Sequence, residues 1–480
     1  MAPLPEVTFQ SVILMFSQIR DWLRKMLYKN YIRDLLDIVM NKSNKDTLKG
    51  YIIRGSFGSF AIKIINIFLI FAYSFVLVRI LGAEEYGIYE YVIAWVNLLI
   101  IPLIFGLDRL SIKIVSASVT QENWGQIRGL IRGSIYTVIT FSILIIFSIF
   151  IVTSMSDGEM SYSSMTLWMG TIALPITALT MIWEGFLRGL HRVLGGQMPI
   201  LIIRPGIAIL FFIAIALFTA IQLNAFFALV IYNFASFCAL LTSMFLLARH
   251  LPPQVTIAEP VYEWKEWFTS ALPLMLMGGM IIVTGRLGTI FLGANQNPEG
   301  AGIFALIFRM TNLITFAQVA VGVVISPTIA SLFAARDMGA LQKVTTQSVL
   351  LIFVVSLPFA LGLLIFGDWI LLVFGEEFTS GVTALRLLII ADIINIATGN
   401  VGVTLAMTGF ERDALIGFII GVIVNFVCCI FFVPWLGVTG AALALALSNV
   451  VWNFYLAYIV HKRLGIFSSI FGGFFYSKTK

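Results

Sequence analysis

The chain has 480 residues, 60% of them hydrophobic and only 11% charged, with a formal net charge of +6 and a mean hydropathy of +0.99. A water-soluble fold of this size would leave large apolar patches exposed, so that class is excluded. Alternating ten-residue strands are absent, which excludes a membrane β-barrel, and apolar runs of roughly twenty residues recur throughout, the length of a transmembrane helix.

Residues 1–50 are the most polar part. Ile19, Leu23, Met26 and Leu27, then Ile32, Leu35, Leu36 and Val39, recur at helical spacing among Arg20, Arg24, Lys25, Lys29 and Arg33. This pattern predicts a cytoplasmic amphipathic segment resting on anionic lipid, with a solvated helix as the alternative. Twelve spans are expected after it. The first six lie near 57–81, 87–106, 133–155, 165–185, 198–220 and 224–247, and the second six near 268–292, 302–326, 348–366, 382–407, 415–433 and 441–460. The domains are therefore read as a six-helix lobe over 51–248, a polar linker over 249–267 with Pro252, Pro253 and Pro260, a second six-helix lobe over 268–461, and a tail over 462–480.

Loop charges fix the orientation. Every second loop carries Lys or Arg (Arg128 and Arg132, Arg188 and Arg192, Arg249, Lys343, Arg412), whereas the alternate loops near Glu84, Asp157, Gln222, Glu299, Glu376 and Trp435 carry none. Basic residues crowd cytoplasmic loops, so both termini are expected in the cytoplasm. The second half also echoes the first. Leu81-Gly82-Ala83 returns as Leu292-Gly293-Ala294, and Gly87-Ile88-Tyr89 leading to Asn97-Leu98 returns as Gly302-Ile303-Phe304 leading to Asn312-Leu313. Six spans per half put both copies the same way up, which makes them parallel repeats around a central cavity. The fold class is an all-α integral membrane protein of two six-helix lobes.

The hairpin LGAEEYGIYEYV, followed by a helix ending in GLDRL and a basic amphipathic loop, resembles the polysaccharide-biosynthesis branch of the multidrug/oligosaccharidyl-lipid/polysaccharide exporter superfamily, the O-antigen-type flippases. The resemblance implies alternating access and an undecaprenyl-diphosphate-linked oligosaccharide carried from the cytoplasmic to the outer leaflet of a bacterial inner membrane, with membrane lipids as further partners.

No catalytic signature, phosphate-binding glycine loop or histidine cluster is present, since His191, His250 and His461 all lie outside the spans and Cys238, Cys428 and Cys429 are spaced for packing. No cofactor, metal site or nucleic-acid partner is expected. The informative residues are charges inside the spans, each costing about 2.5–3.5 kcal/mol at a helix centre on insertion scales. Arg286, Arg309 and Lys63 are read as substrate-binding cations. Arg204 shares that reading with a second one, snorkelling to the headgroups, which also fits Arg79 and Arg386. Asp392 is taken as the only deeply placed acid, a coupling group for a proton or sodium ion, while Glu90 is placed near a span end. Arg286 and Arg309 lie roughly 10 Å below the outer surface on consecutive antiparallel helices, where one diphosphate can bridge them. Pro273, Gly278 and Gly279 mark the expected bend. A cation-coupled multidrug antiporter of the same superfamily is the alternative reading, disfavoured by the excess of bases. A membrane glycosyltransferase or polymerase is a second, disfavoured by short outer loops. Cysteines introduced at Glu84, Asp157, Glu299 and Glu376 are expected to react with an impermeant reagent from outside, and cysteines at Arg128 and Lys343 only from inside; outside labelling at Lys343 would break the twelve-span count.

Overall fold

The computed structural model describes residues 48–155, 162–218, 223–470 and 472; the amphipathic segment expected over 1–50 falls almost wholly outside them, as does the turn at Asp157. The helices, in order, are α1 (Leu48–Ile104), α2 (Leu107–Thr120), α3 (Trp124–Met155), α4 (Tyr162–Gly189), α5 (Val193–Met198), α6 (Arg204–Phe218), α7 (Ala225–His250), α8 (Pro253–Ile257), α9 (Trp264–Ala294), α10 (Pro298–Ala334), α11 (Met338–Phe374), α12 (Val382–Thr398), α13 (Val401–Met407) and α14 (Glu411–Leu464). Contacts divide the chain into two units, residues 1–61 and residues 62–480. The second unit carries everything described below.

Among the described residues, ten helices are long and apolar enough to cross a bilayer. Two of them are double-length. The apolar part of α1 covers 47 residues and α14 covers 54, about 70 and 80 Å at 1.5 Å per residue, more than twice the hydrocarbon core. Each is broken once at a glycine, Gly82 (φ 75°, ψ 175°) and Gly437 (φ 54°, ψ −126°), in backbone regions that side chains disfavour. Each is therefore long enough to cross twice, which makes room for twelve crossings among the described residues.

The acidic turn after the first break has a structural use. With Gly82 out of helical geometry, the Ala83 N–H donates to Glu377 Oε2 at 3.3 Å. Glu85 Oε2 accepts from the Ala225 N–H at 2.7 Å, placing a carboxylate on the first turn of α7, where the helix dipole favours negative charge. The two echoed hairpins also touch one another. A Cβ built on Gly302 would stand 3.0 Å from the Cα and N of Gly87, and one on Gly87 would stand 1.7 Å from the Pro298 carbonyl oxygen. The two positions that echo one another in the sequence are therefore in backbone contact.

One expectation is corrected. Pro273, Gly278 and Gly279 do not interrupt α9, which is helical from Trp264 to Ala294. Gly279 instead lets Ile101 of α1 approach, and Gly278 lets Arg109 approach. The breaks fall at Gly82, Gly437, and the Gly399 turn (φ 77°) that separates α12 from α13. Gly87→Ala is expected to push α10 away and lower the thermal unfolding midpoint in detergent, with a cost of about 1–3 kcal/mol for overpacking. Gly206→Ala, where a Cβ meets nothing within 4 Å, is expected to leave the midpoint unchanged or slightly raised.

Candidate functional site

The site is assembled from the second crossing of α1 and from α9 and α10. Glu90 sits eight residues beyond the Gly82 break, fully buried. Across from it, Arg309 lies eleven residues into α10 and Arg286 eight residues before the end of α9, so all three stand about 12–17 Å from the helix ends at the Gly82 break and the α9–α10 loop. Arg309 Nη2 pairs with Glu90 Oε1 at 2.5 Å. Its other terminal nitrogen donates to Ser74 Oγ at 2.6 Å and to the Tyr86 hydroxyl at 2.9 Å. Tyr86 and Glu90 are one helical turn apart on the same face of α1, so one face supplies both partners.

Arg286 is held much more loosely. Its Nη1 stands 4.0 Å from Glu90 Oε2, and that buried oxygen accepts no hydrogen bond among the described residues. Two guanidinium groups therefore share one carboxylate. The cluster carries a surplus positive charge in a place where water screens it poorly, and Arg286 is the member with donors to spare.

Arg204 reaches the same region by a different route. Pro205 has no N–H to bond the Leu201 carbonyl one turn back. Asn66 Nδ2 donates to that carbonyl instead, at 2.7 Å, and the helix widens into a π-turn over Pro199–Ile203. Such π-turns recur at functional sites. Arg204 follows directly. Its guanidinium lies 5.4 Å from the Tyr232 ring centroid, and Nη1 donates to the Tyr232 hydroxyl at 3.3 Å. Tyr232 packs edge-on against Tyr89 with centroids 6.3 Å apart, and the Tyr89 and Tyr73 hydroxyls are hydrogen-bonded at 2.8 Å. A chain of tyrosines, joined by one ring contact and one hydroxyl hydrogen bond, thus leads from Arg204 to the residues around Glu90.

The other expected site residues lie apart. Lys63 is half-buried on α1, within electrostatic range of Glu184 on α4. Asp392 is buried on α12 with the Thr311 hydroxyl as hydrogen-bonding neighbour and no ion pair among the described residues. It is not the only deep acid, because Glu90 is more fully buried. Arg79 donates to the Val373 carbonyl at 2.6 Å and Arg386 pairs with exposed Asp368 at 3.3 Å. Glu90 was missed because its distance from the charged turn suggested a span end. The usable signal was the pair of deep arginines, which require an acid somewhere near them.

The apolar helices and their arrangement make the chain a multi-pass membrane protein, and comparison with solved structures gives the fold a precedent. The inward-facing conformation of a multidrug resistance MATE family transporter of the MOP superfamily superposes with a TM-score of 0.68 at 14% identity, covering 83% of this chain and 94% of that one. The outward-facing conformation of such a transporter gives 0.62 at 13% identity, over 90% and 97%. A MOP superfamily transporter from Pyrococcus furiosus, whose reverse polarity of the binding pocket suggests a different function, gives 0.62 at 13%, over 87% and 96%. The polysaccharide biosynthesis protein family model matches residues 52–333. No curated protein matches the chain.

Breaking the central pair should be costly, because it strands a charge. Glu90→Gln is expected to destabilise the protein by about 3–5 kcal/mol. The double variant Glu90→Gln/Arg309→Gln is expected to lose less than the sum of the single variants. Thermal unfolding of the four proteins in detergent measures the difference; additive losses would mean that the pair contributes nothing.

Proposed function

We propose that this chain, which belongs to the polysaccharide biosynthesis protein family, is a flippase that carries a lipid-diphosphate-linked oligosaccharide from the cytoplasmic to the outer leaflet of a bacterial inner membrane, both termini facing the cytoplasm. The transporter fold and the family membership support the class of activity. The observation that carries the choice of cargo is the two-to-one ratio of guanidinium groups to carboxylate at Glu90, Arg286 and Arg309. A diphosphate offers several acceptor oxygens, and planar guanidinium forks bind such oxygens two at a time while staying charged. Lys63 and Arg204 are read as further cations along the cargo's path.

The geometry suggests how cargo and conformation are linked. Glu90 belongs to the first half and Arg309 to the second, so an outward opening that parts Gly87 from Pro298 must also part this pair. A buried Arg309 without an anion is costly. A cargo diphosphate would take the place of Glu90, and opening would then leave neither arginine unpaired. A cation-coupled multidrug antiporter, whose cationic cargo would meet surplus positive charge here, is disfavoured on that ground. Asp392, buried without a cationic partner, is proposed as the group through which a proton or sodium gradient drives the cycle.

Flipping of the lipid-linked sugar in reconstituted vesicles tests both roles. Arg286→Ala is expected to lose more than tenfold in apparent affinity, the loss of a charge-assisted hydrogen bond of about 1.5–3 kcal/mol, with Arg286→Lys intermediate because charge remains while the fork is gone. Asp392→Asn is expected to bind cargo normally and to lose gradient dependence. Arg286→Ala and Arg309→Ala variants that fold and flip at the normal rate would remove the diphosphate site.

A further inference from the structure

The end of α12 is not capped by its own neighbourhood alone. α12 stops at Thr398, Gly399 takes a left-handed turn (φ 77°), and α13 starts at Val401. A helix end leaves its last four carbonyls without partners inside the helix. Here they belong to Asn395, Ile396, Ala397 and Thr398. The first two find local donors, the Thr398 hydroxyl at 2.8 Å and the Gly399 N–H at 3.2 Å. The other two are met from 70 residues away. The Ile470 N–H donates to the Ala397 carbonyl at 3.1 Å, and the Ser468 hydroxyl donates to the Thr398 carbonyl at 2.8 Å.

The donors come from the segment after α14. That helix ends at Leu464, Gly465 turns left-handed (φ 66°), and the chain folds back. Ile466 is fully buried in a small apolar cluster with Ile329 of α10, Leu341 of α11 and Val401 of α13. Phe467 stacks on His461 with centroids 4.2 Å apart. Gln342 of α11 grips the backbone here with both ends of its amide. Its Oε1 accepts the Phe467 N–H at 2.7 Å, and its Nε2 donates to the Phe467 carbonyl at 2.9 Å. This pairing seats Ser468 and Ile470 against α12. A second hold on the break comes from Gln318 of α10, which donates to the Gly399 carbonyl at 3.2 Å and to Asn395 Oδ1 at 3.4 Å.

Asp392 stands six residues before Thr398, about 9 Å along the same short helix, so whatever fixes the end of α12 also fixes the carboxylate. We infer that residues 466–470 are a strap that sets the position of α12, with Gln342 as the positioning residue that keeps the strap seated. The seated strap holds Asp392 in its buried place, and release lets the end of α12 shift and water reach the carboxylate. The inference rests on the coupling role proposed above for Asp392 and deepens it by naming what governs access to that group. Its physical basis is the pair of carbonyls at the break. Without the strap they lose their donors, and a buried acceptor left without a donor is unfavourable enough to move the helix end. The strap is also a contact that can yield without unwinding a helix, because one side-chain amide and one hydroxyl do most of the holding.

The test uses the full chain in phosphatidylcholine vesicles and dicyclohexylcarbodiimide, an apolar reagent that modifies protonated carboxyl groups. Modification of Asp392 is read by mass spectrometry of the α12 peptide. It is expected to be about threefold to tenfold faster in Gln342→Ala and Ile470→Pro than in the wild type, the effect of one lost hydrogen bond. Ser469→Ala, which leaves all of these bonds in place, should react at the wild-type rate. Gln342→Glu keeps the acceptor for the Phe467 N–H and loses only the donor, so it should fall between, and it serves where Gln342→Ala does not fold. In flipping assays Gln342→Ala should alter the dependence on the gradient and leave the apparent cargo affinity unchanged. An unchanged rate at Asp392 in the folded variants would overturn the strap. So would an equal rise at Glu184, which would mean general loosening, and an unaltered gradient dependence would overturn its part in coupling. Carbodiimide modification needs no cargo, so a chain whose Asp392 responds to the strap but that flips no lipid would overturn the flippase reading and leave the strap standing.

Discussion

The ion pair between Glu90 and Arg309 is the constraint on which the centre of this protein depends. A guanidinium inside a membrane helix is tolerable only with a partner, and here the partner comes from the other half of the chain. The pair is therefore also a join between the halves. Ser74 and Tyr86 accept from the second terminal nitrogen of Arg309, which fixes the guanidinium plane. Arg286 approaches only the second oxygen of the same carboxylate, at 4.0 Å, and it is this inequality on which the proposed diphosphate site rests.

Around this polar centre the halves are held by close backbone approach. Lipid tails are as apolar as leucine, so burial of apolar side chains drives helix association weakly in a membrane, and small residues that allow tight packing take over. Gly87 with Gly302 and Pro298 performs this at one level of α1, and Gly279 with Ile101 at the other. Contacts of this kind hold when closed and leave no long side chains to disentangle when opened. They suit an element that separates and rejoins in each cycle. The chain of tyrosines through Tyr73, Tyr89 and Tyr232 extends the polar region sideways to Arg204 with neutral groups, so the positive charges are spread out rather than stacked.

Much of this was legible in the residues alone. Hydropathy requires membrane helices, since nothing else buries so many apolar residues, and the positions of Lys and Arg count the crossings. Gly87 and Gly302, which echo one another in the sequence, meet in the structure. That Arg286 and Arg309 lie at one depth follows from their distances to the same short loop at 1.5 Å per residue. Those inferences succeed because each depends on distance along the chain, which local geometry converts directly into position.

What failed depended on rotation about a helix axis and on contacts between distant segments. Glu90 lies near a charged turn in sequence, yet the break at Gly82 turns its helix so that the carboxylate faces Arg309, 219 residues away. Gly278 and Gly279 read as a weak point in a helix, and only the neighbouring α1 and α2 show them to be places of approach for Ile101 and Arg109. Lys63, Arg204 and the two central arginines are alike as intramembrane cations, and the tertiary structure alone sorts them by the partners it puts beside each. The sequence by itself determined that this chain crosses the membrane many times and which charges must be accommodated inside. Which charge meets which was decided only by the packing of one half on the other, because a side chain's partner across a helix interface is set by axial rotation and crossing, and neither is encoded in any local pattern.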